Sequence, residues 1–182
     1  MKLTFIKAVI GSIVGTLASF LLYRFYESSW LLSLTITLGT IAYHLTVRLF
    51  VGGLVNSVMH NHAAYHKNWY QLRSFENRIY GILKVKQWKS KLPSYEPEWF
   101  SPQKHTFDEI AQAMCQSEIV HEINVVLSFL PLFASIWFGS FAVFCVTSIA
   151  AACFDMMFVI MQRYNRPRIV RIAERQREKN KI

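Results

Sequence analysis

An all-α integral membrane protein is the fold this sequence predicts, and three observations predict it. Hydrophobic residues make up 53% of the 182-residue chain. They gather into four runs, each near the ~20 residues a helix needs to cross ~30 Å of hydrocarbon. The 20 Lys and Arg residues are kept almost entirely out of those runs, and a net charge of +9 accumulates beside them instead. Four transmembrane helices are therefore expected, with a cytoplasmic amphipathic insert between the second and third.

The first span covers about residues 4–23 and holds one charge, Lys7, near its start. No small-x-small cleavage site follows it, so it is expected to stay as a helix rather than leave as a signal peptide. The second span, 30–55, carries His44 and Arg48 toward its end. The third, 119–138, follows the stretch "AMCQSEIVHEINVVLSFLPLF", and the fourth, 140–162, contains a single acid, Asp155. The insert 56–117 and the tail 163–182 hold eight Lys and Arg residues each, whereas "RFYESS" holds only Arg24 and the third and fourth spans are separated by Gly139. That asymmetry places the insert and both termini in the cytoplasm of a multi-pass cell-membrane protein, with two tight external turns.

The insert is too long and too patterned to be a passive connection. In "WYQLRSFENRIYGIL" (69–83), Leu72, Phe75, Ile79 and Leu83 recur at helical spacing, which predicts an amphipathic helix on the membrane surface. "VKQWKSKLP" then ends at Pro93, and "SYEPEWFSPQKHTF" reads as Pro-punctuated loop, with Trp69, Trp88, Trp99 and Phe100 suited to the interface. "TFDEI" predicts a helix start near Thr106 or Asp108. Lys89 and Lys91, beside Trp88 and before Leu92 and Pro93, are candidates for an anionic headgroup or phosphate. The tail is basic throughout and is expected to lie on anionic lipid. No nucleic-acid partner is expected.

Polar groups punctuate the spans at one depth. With the second and fourth helices running inward, His44, Arg48, Asp155 and Gln162 share an inner-leaflet layer with Glu118 and His121 at the start of the third. Ionisable groups buried together in a membrane mark a functional site by default, although ion pairs that only hold the bundle remain the alternative. Glu118-x-x-His121 is the sharpest pattern, because residues three apart share a helix face and a carboxylate there can orient an imidazole base. A metal site competes: His60, His62 and His66 cluster in "HNHAAYHK", and Glu-x-x-His pairs ligate di-iron centres. Such centres use two of these pairs, and this chain has one. Cys115, Cys145 and Cys153 form neither a disulfide framework nor a CxxC site.

Three separated stretches, "ENRIYGILKVKQWKSKLP", "QSEIVHE" and "QRYNRPRI", together resemble the small membrane acyltransferase family typified by glycosyl-4,4'-diaponeurosporenoate acyltransferase. The likeness runs over about residues 44–172. Carried onto this chain, the pattern marks Glu76, Tyr80, Trp88, Lys89, Leu92, Pro93, Glu118, His121, Arg163, Tyr164, Asn165, Pro167 and Arg168. It departs at Ala113, where many relatives carry a glutamate, and at the histidine cluster. The resemblance implies transfer of a fatty acyl chain to a hydroxyl of a lipid-like acceptor, in this family the sugar of a glycosylated carotenoid on the way to staphyloxanthin. His121 would then be the base and Glu118 its orienting partner. Lys89, Asn165, Arg166 and Arg168 would hold the anionic part of an acyl-CoA or acyl-carrier donor. Arg48, Glu76, Tyr80 and Trp88 would complete the substrate contacts, beside membrane lipid and a lipid or glycosylated isoprenoid acceptor, and no cofactor or metal is expected. The rival readings are a metal-dependent lipid hydroxylase or desaturase and a non-enzymatic lipid-binding membrane subunit.

Overall fold

The computed structural model describes residues 2–179, and among these every regular element is helical. Seven α-helices follow in order: α1 Lys2–Tyr26, α2 Ser29–Met59, α3 Ser74–Ile82, α4 Val85–Trp88, α5 Phe107–Leu127, α6 Pro131–Phe138 and α7 Phe141–Lys179. Four stretches are long and apolar enough to cross a membrane: α1, α2, α5 with α6, and α7. Their outward residues, among them Leu17, Phe133, Ile136 and Trp137, are large, apolar and exposed, a surface that only hydrocarbon tolerates.

The helices do not end where hydropathy ends them. Helix α5 begins at Phe107, well before the apolar window at 119, because "TFDE" closes a reciprocal cap. The Thr106 amide donates to the Glu109 carboxylate at 2.8 Å, and the Glu109 amide donates to the Thr106 hydroxyl at 3.3 Å. The third apolar stretch is broken at residues 128–130, since Pro131 has no N–H for the carbonyl four residues back. That carbonyl, on Leu127, accepts instead from the Leu130 amide at 3.1 Å and from the Tyr43 hydroxyl at 2.9 Å. Helix α7 continues through Pro167 to Lys179, so most of the stretch read as a tail is helix. Between α2 and α5 the difference runs the other way. The helix expected over 69–83 is confined to Ser74–Ile82, with one 3-10 turn at Asn68–Tyr70 before it.

The chain divides into two compact units. One holds the described residues through Gly52 with Ile123–Asp155; the other holds Gly53–Glu122 with the described residues from Met156 onward. In the first, α1 and α2 pack closely: a Cβ on Gly15 would stand 3.3 Å from Leu38, and the Thr35 hydroxyl donates to that of Ser19 at 3.0 Å. In the second, Tyr65, Ala111 and Cys115 form a small core against Ile169 and Val170, and Val85 at the start of α4 is fully buried.

Candidate functional site

The site lies in the second unit and is built around Arg163 on α7. A guanidinium carries five N–H groups in a planar fork, and all five of Arg163's find acceptors inside the protein. Nε and one terminal nitrogen grip the two oxygens of Glu76 at 2.8 and 2.6 Å. The other terminal nitrogen donates to Glu118 at 2.6 Å and to the Trp69 carbonyl at 3.0 Å. The last N–H reaches the Gln71 carbonyl at 3.0 Å.

These bonds explain why the chain is not helical before Ser74. In a helix, the carbonyls of Trp69, Tyr70 and Gln71 would accept from amides four residues on. Here Arg163 takes the first and third, and Arg166 takes that of Tyr70. The Arg73 amide, freed in turn, donates to Glu76 at 3.0 Å and fixes the start of α3. Tyr80, one turn along α3, donates its hydroxyl to the same carboxylate. Burial pushes the Glu76 carboxyl upward, but the bonds from Arg163, Tyr80 and the Arg73 amide outweigh it and hold it at about 2. The Tyr80 hydroxyl is pushed up, by burial first and by its acidic partner second.

Glu118 on α5 is fully buried. One oxygen accepts from Arg163 and the other from Arg166, whose guanidinium also lies over the Tyr70 ring at 5.2 Å. Two carboxylates therefore face two guanidinium groups, and the cluster carries no net charge. Such a cluster can exist without water only because every charge is both paired and hydrogen-bonded. Arg166, expected among the substrate contacts, is 3% exposed and held wholly within this cluster. Glu76 and Tyr80 are buried with it.

Beside the neutral cluster stands a cationic one. The Lys89 ammonium donates to the Asn165 carbonyl oxygen and lies 4.5 Å from the centre of the Tyr164 ring. Burial, then the charges of Arg168 and Lys86, lower its affinity for a proton. Among the described residues it has no carboxylate partner. Trp88 is half-buried, its indole N–H donating to the Leu83 carbonyl at 2.9 Å, and Lys84 in the left-handed conformation (φ 50°) turns the chain so that this short segment meets α7.

His121, one turn past Glu118 on α5, stacks its imidazole on Phe158 of α7, with centroids 4.5 Å apart and planes 10° from parallel. Glu122 beside it accepts from the Trp69 indole N–H at 3.0 Å. Most of the residues the sequence marked thus come together in this unit: Glu76, Tyr80, Lys89, Glu118, Arg163, Asn165 and Arg166, with His121 adjacent on its helix. Arg48 lies in the first unit, where it pairs with Asp155. His60, His62 and His66 are exposed, and among the described residues no three His, Cys, Asp or Glu side chains are placed to hold a metal ion. Sequence reasoning missed the backbone carbonyls of Trp69, Tyr70 and Gln71, which no side-chain pattern marks.

A family model described as glycosyl-4,4'-diaponeurosporenoate acyltransferase matches residues 66–175, a segment that contains the whole Glu76–Arg163–Glu118–Arg166 cluster, Lys89 and His121. The chain belongs to that family. No curated protein and no solved structure matches it.

Proposed function

We propose that this family member is a membrane O-acyltransferase that moves a fatty acyl chain from a thioester donor to a hydroxyl of a lipid-like acceptor, a glycosylated carotenoid. The observation that supports it most is that the family-matched segment encloses both a rigid, charge-neutral cluster and, beside it, a cation without a carboxylate partner. His121 takes the proton from the acceptor hydroxyl, whose oxygen attacks the thioester carbonyl carbon. The tetrahedral adduct collapses, the C–S bond breaks, and the departing sulfur recovers the proton from the imidazolium. Lys89, Asn165 and Arg168 hold the phosphate groups of acyl-CoA or of an acyl carrier. Glu118, with Arg163 and Arg166, fixes α5 to α7 and thereby sets the position of His121. The insert and both termini face the cytoplasm, where the donor is found.

Purified protein in lipid nanodiscs, supplied with acyl-CoA and a glycosylated carotenoid, should form the ester detected by mass spectrometry. His121→Ala should lose transfer while lowering the melting temperature far less than Glu118→Gln does. Full activity in that variant removes His121 as the base.

A further inference from the structure

A second polar cluster lies in the first unit. Arg48 on α2 donates to Asp155 and, at 3.1 Å, to the Ala151 carbonyl, and through its other terminal nitrogen to the His44 carbonyl at 2.7 Å. Asp155 is fully buried, and the side chain of Arg48 is nearly so. Among the described residues, four buried polar atoms on α2, α5 and α7 have no hydrogen-bond partner: His44 Nε2, Arg48 Nε, Asn124 Oδ1 and Ser148 Oγ. His44, Asn124 and Ser148 are each more than nine-tenths buried. Unsatisfied buried polar groups are costly, and hydrocarbon offers nothing to relieve them.

Their positions put them at one level. Ser148 and Ala151 share a face of α7 one turn apart, and His44 stands one turn before Arg48 on α2. The Tyr43 hydroxyl meets the Leu127 carbonyl on α5, and Asn124 is one turn back along that helix, toward the level of Arg48. His44 is close enough to Arg48 and Asp155 to feel both charges. Ser148 is also unlike its neighbour. Thr147 satisfies its hydroxyl on the Val143 carbonyl at 2.8 Å, as membrane helices usually arrange, while Ser148 does not.

The chemistry of the four atoms selects a ligand class. Arg48 Nε can only donate, Asn124 Oδ1 can only accept, and the imidazole and hydroxyl can do either. A phosphate or carboxylate offers acceptors alone, and an ammonium offers donors alone. A hydroxyl offers both. We infer that the polar cluster of His44, Arg48, Asn124 and Ser148 is a binding site for the hydroxyl group of a neutral lipid alcohol. The inference concerns the first unit only and does not depend on acyl transfer.

The test uses the full-length protein in nanodiscs and a long-chain alcohol carrying a diazirine and an alkyne, with its methyl ether as the control. The ether keeps the chain and the acceptor oxygen but loses the donor that Asn124 requires. After photolysis, peptides covering residues 41–50, 121–130 and 145–155 should be labelled about fivefold more by the alcohol, the ratio given by one hydrogen bond of typical net strength. Ser148→Ala and Asn124→Ala should each bring alcohol labelling down to the ether level. The alcohol should also raise the melting temperature of the wild type and not of either variant. Equal labelling by alcohol and ether, labelling unchanged in both variants, or an alcohol-induced melting shift that survives both substitutions would each overturn the site. None of these results bears on ester formation, which is read separately.

Discussion

Arg163 and Glu118 are joined at 2.6 Å across α7 and α5, with the carboxylate wholly out of solvent. The bond is one edge of a cluster whose removal leaves charges stranded in an apolar setting. Breaking a buried ion pair from one side costs ~3–5 kcal/mol, because the survivor keeps its desolvation penalty and loses its partner. Glu118→Gln should therefore lower the melting temperature by roughly 10 °C. Pairing it with Arg166→Met should recover part of the loss, since both ends of one bond are then neutral. His121→Ala, which removes the stack on Phe158 but no ion pair of this cluster, should lower the melting temperature less. Equal destabilisation by Glu118→Gln and His121→Ala would mean that both act only structurally.

Glu76 gives the fold a pH signature. Its carboxyl is held at about 2 in the folded protein, against 4.5 ordinarily. A group whose folded value is depressed contributes stability above its unfolded value and loses it as pH falls toward its folded value. The contribution, up to roughly 3 kcal/mol, should thus be intact above about pH 4.5 and decline between there and pH 2. Melting curves taken across that window should fall more steeply for the wild type than for Glu76→Gln. Parallel slopes would mean that Arg163 does not favour the charged form of Glu76.

Lys89 should behave in the opposite way to the cluster. Its proton affinity is lowered by burial and by Arg168 and Lys86, so the fold disfavours its charge. Lys89→Met should then leave stability unchanged or higher. If the ammonium binds the donor's phosphate, the same variant should raise the KM for acyl-CoA about tenfold, the worth of one charge-assisted bond, with kcat little altered. The effect should shrink as salt is raised, because screening weakens the wild-type contact. A destabilised variant with an unchanged KM would assign Lys89 to structure instead.

The spans were legible because hydropathy over ~20 residues is a local property, and so was the cap at Thr106 and Glu109, whose partners are three residues apart. Glu76 and Tyr80 could be placed together for the same reason, being one turn apart. The pairing of Glu76 with Arg163 could not, since it joins residues 87 apart and obeys no periodicity. The same distance effect explains the misplaced helix before Ser74. "WYQLRS" has helical spacing, but its carbonyls are claimed by two arginines almost a hundred residues on. Helix α7 outran its apolar span because Arg163 and Arg166 are held by acids from α3 and α5, so their charges support the helix instead of ending it.

The break between α5 and α6 offers a test in the first unit. Pro131 removes the helical donor to the Leu127 carbonyl, which accepts instead from the Leu130 amide of the tightened turn at 3.1 Å and from the Tyr43 hydroxyl at 2.9 Å. Tyr43→Phe deletes that donor and little else, and should cost ~1 kcal/mol. Pro131→Ala restores a backbone N–H within reach of the same carbonyl. If the tyrosine compensates for the proline, Tyr43→Phe should cost clearly less in the Pro131→Ala background, giving a coupling of at least ~0.5 kcal/mol in a double-mutant cycle. Additive costs would show instead that the tyrosine stabilises α2 against α5 through packing of its ring, and that the freed carbonyl is satisfied by the tightened turn alone.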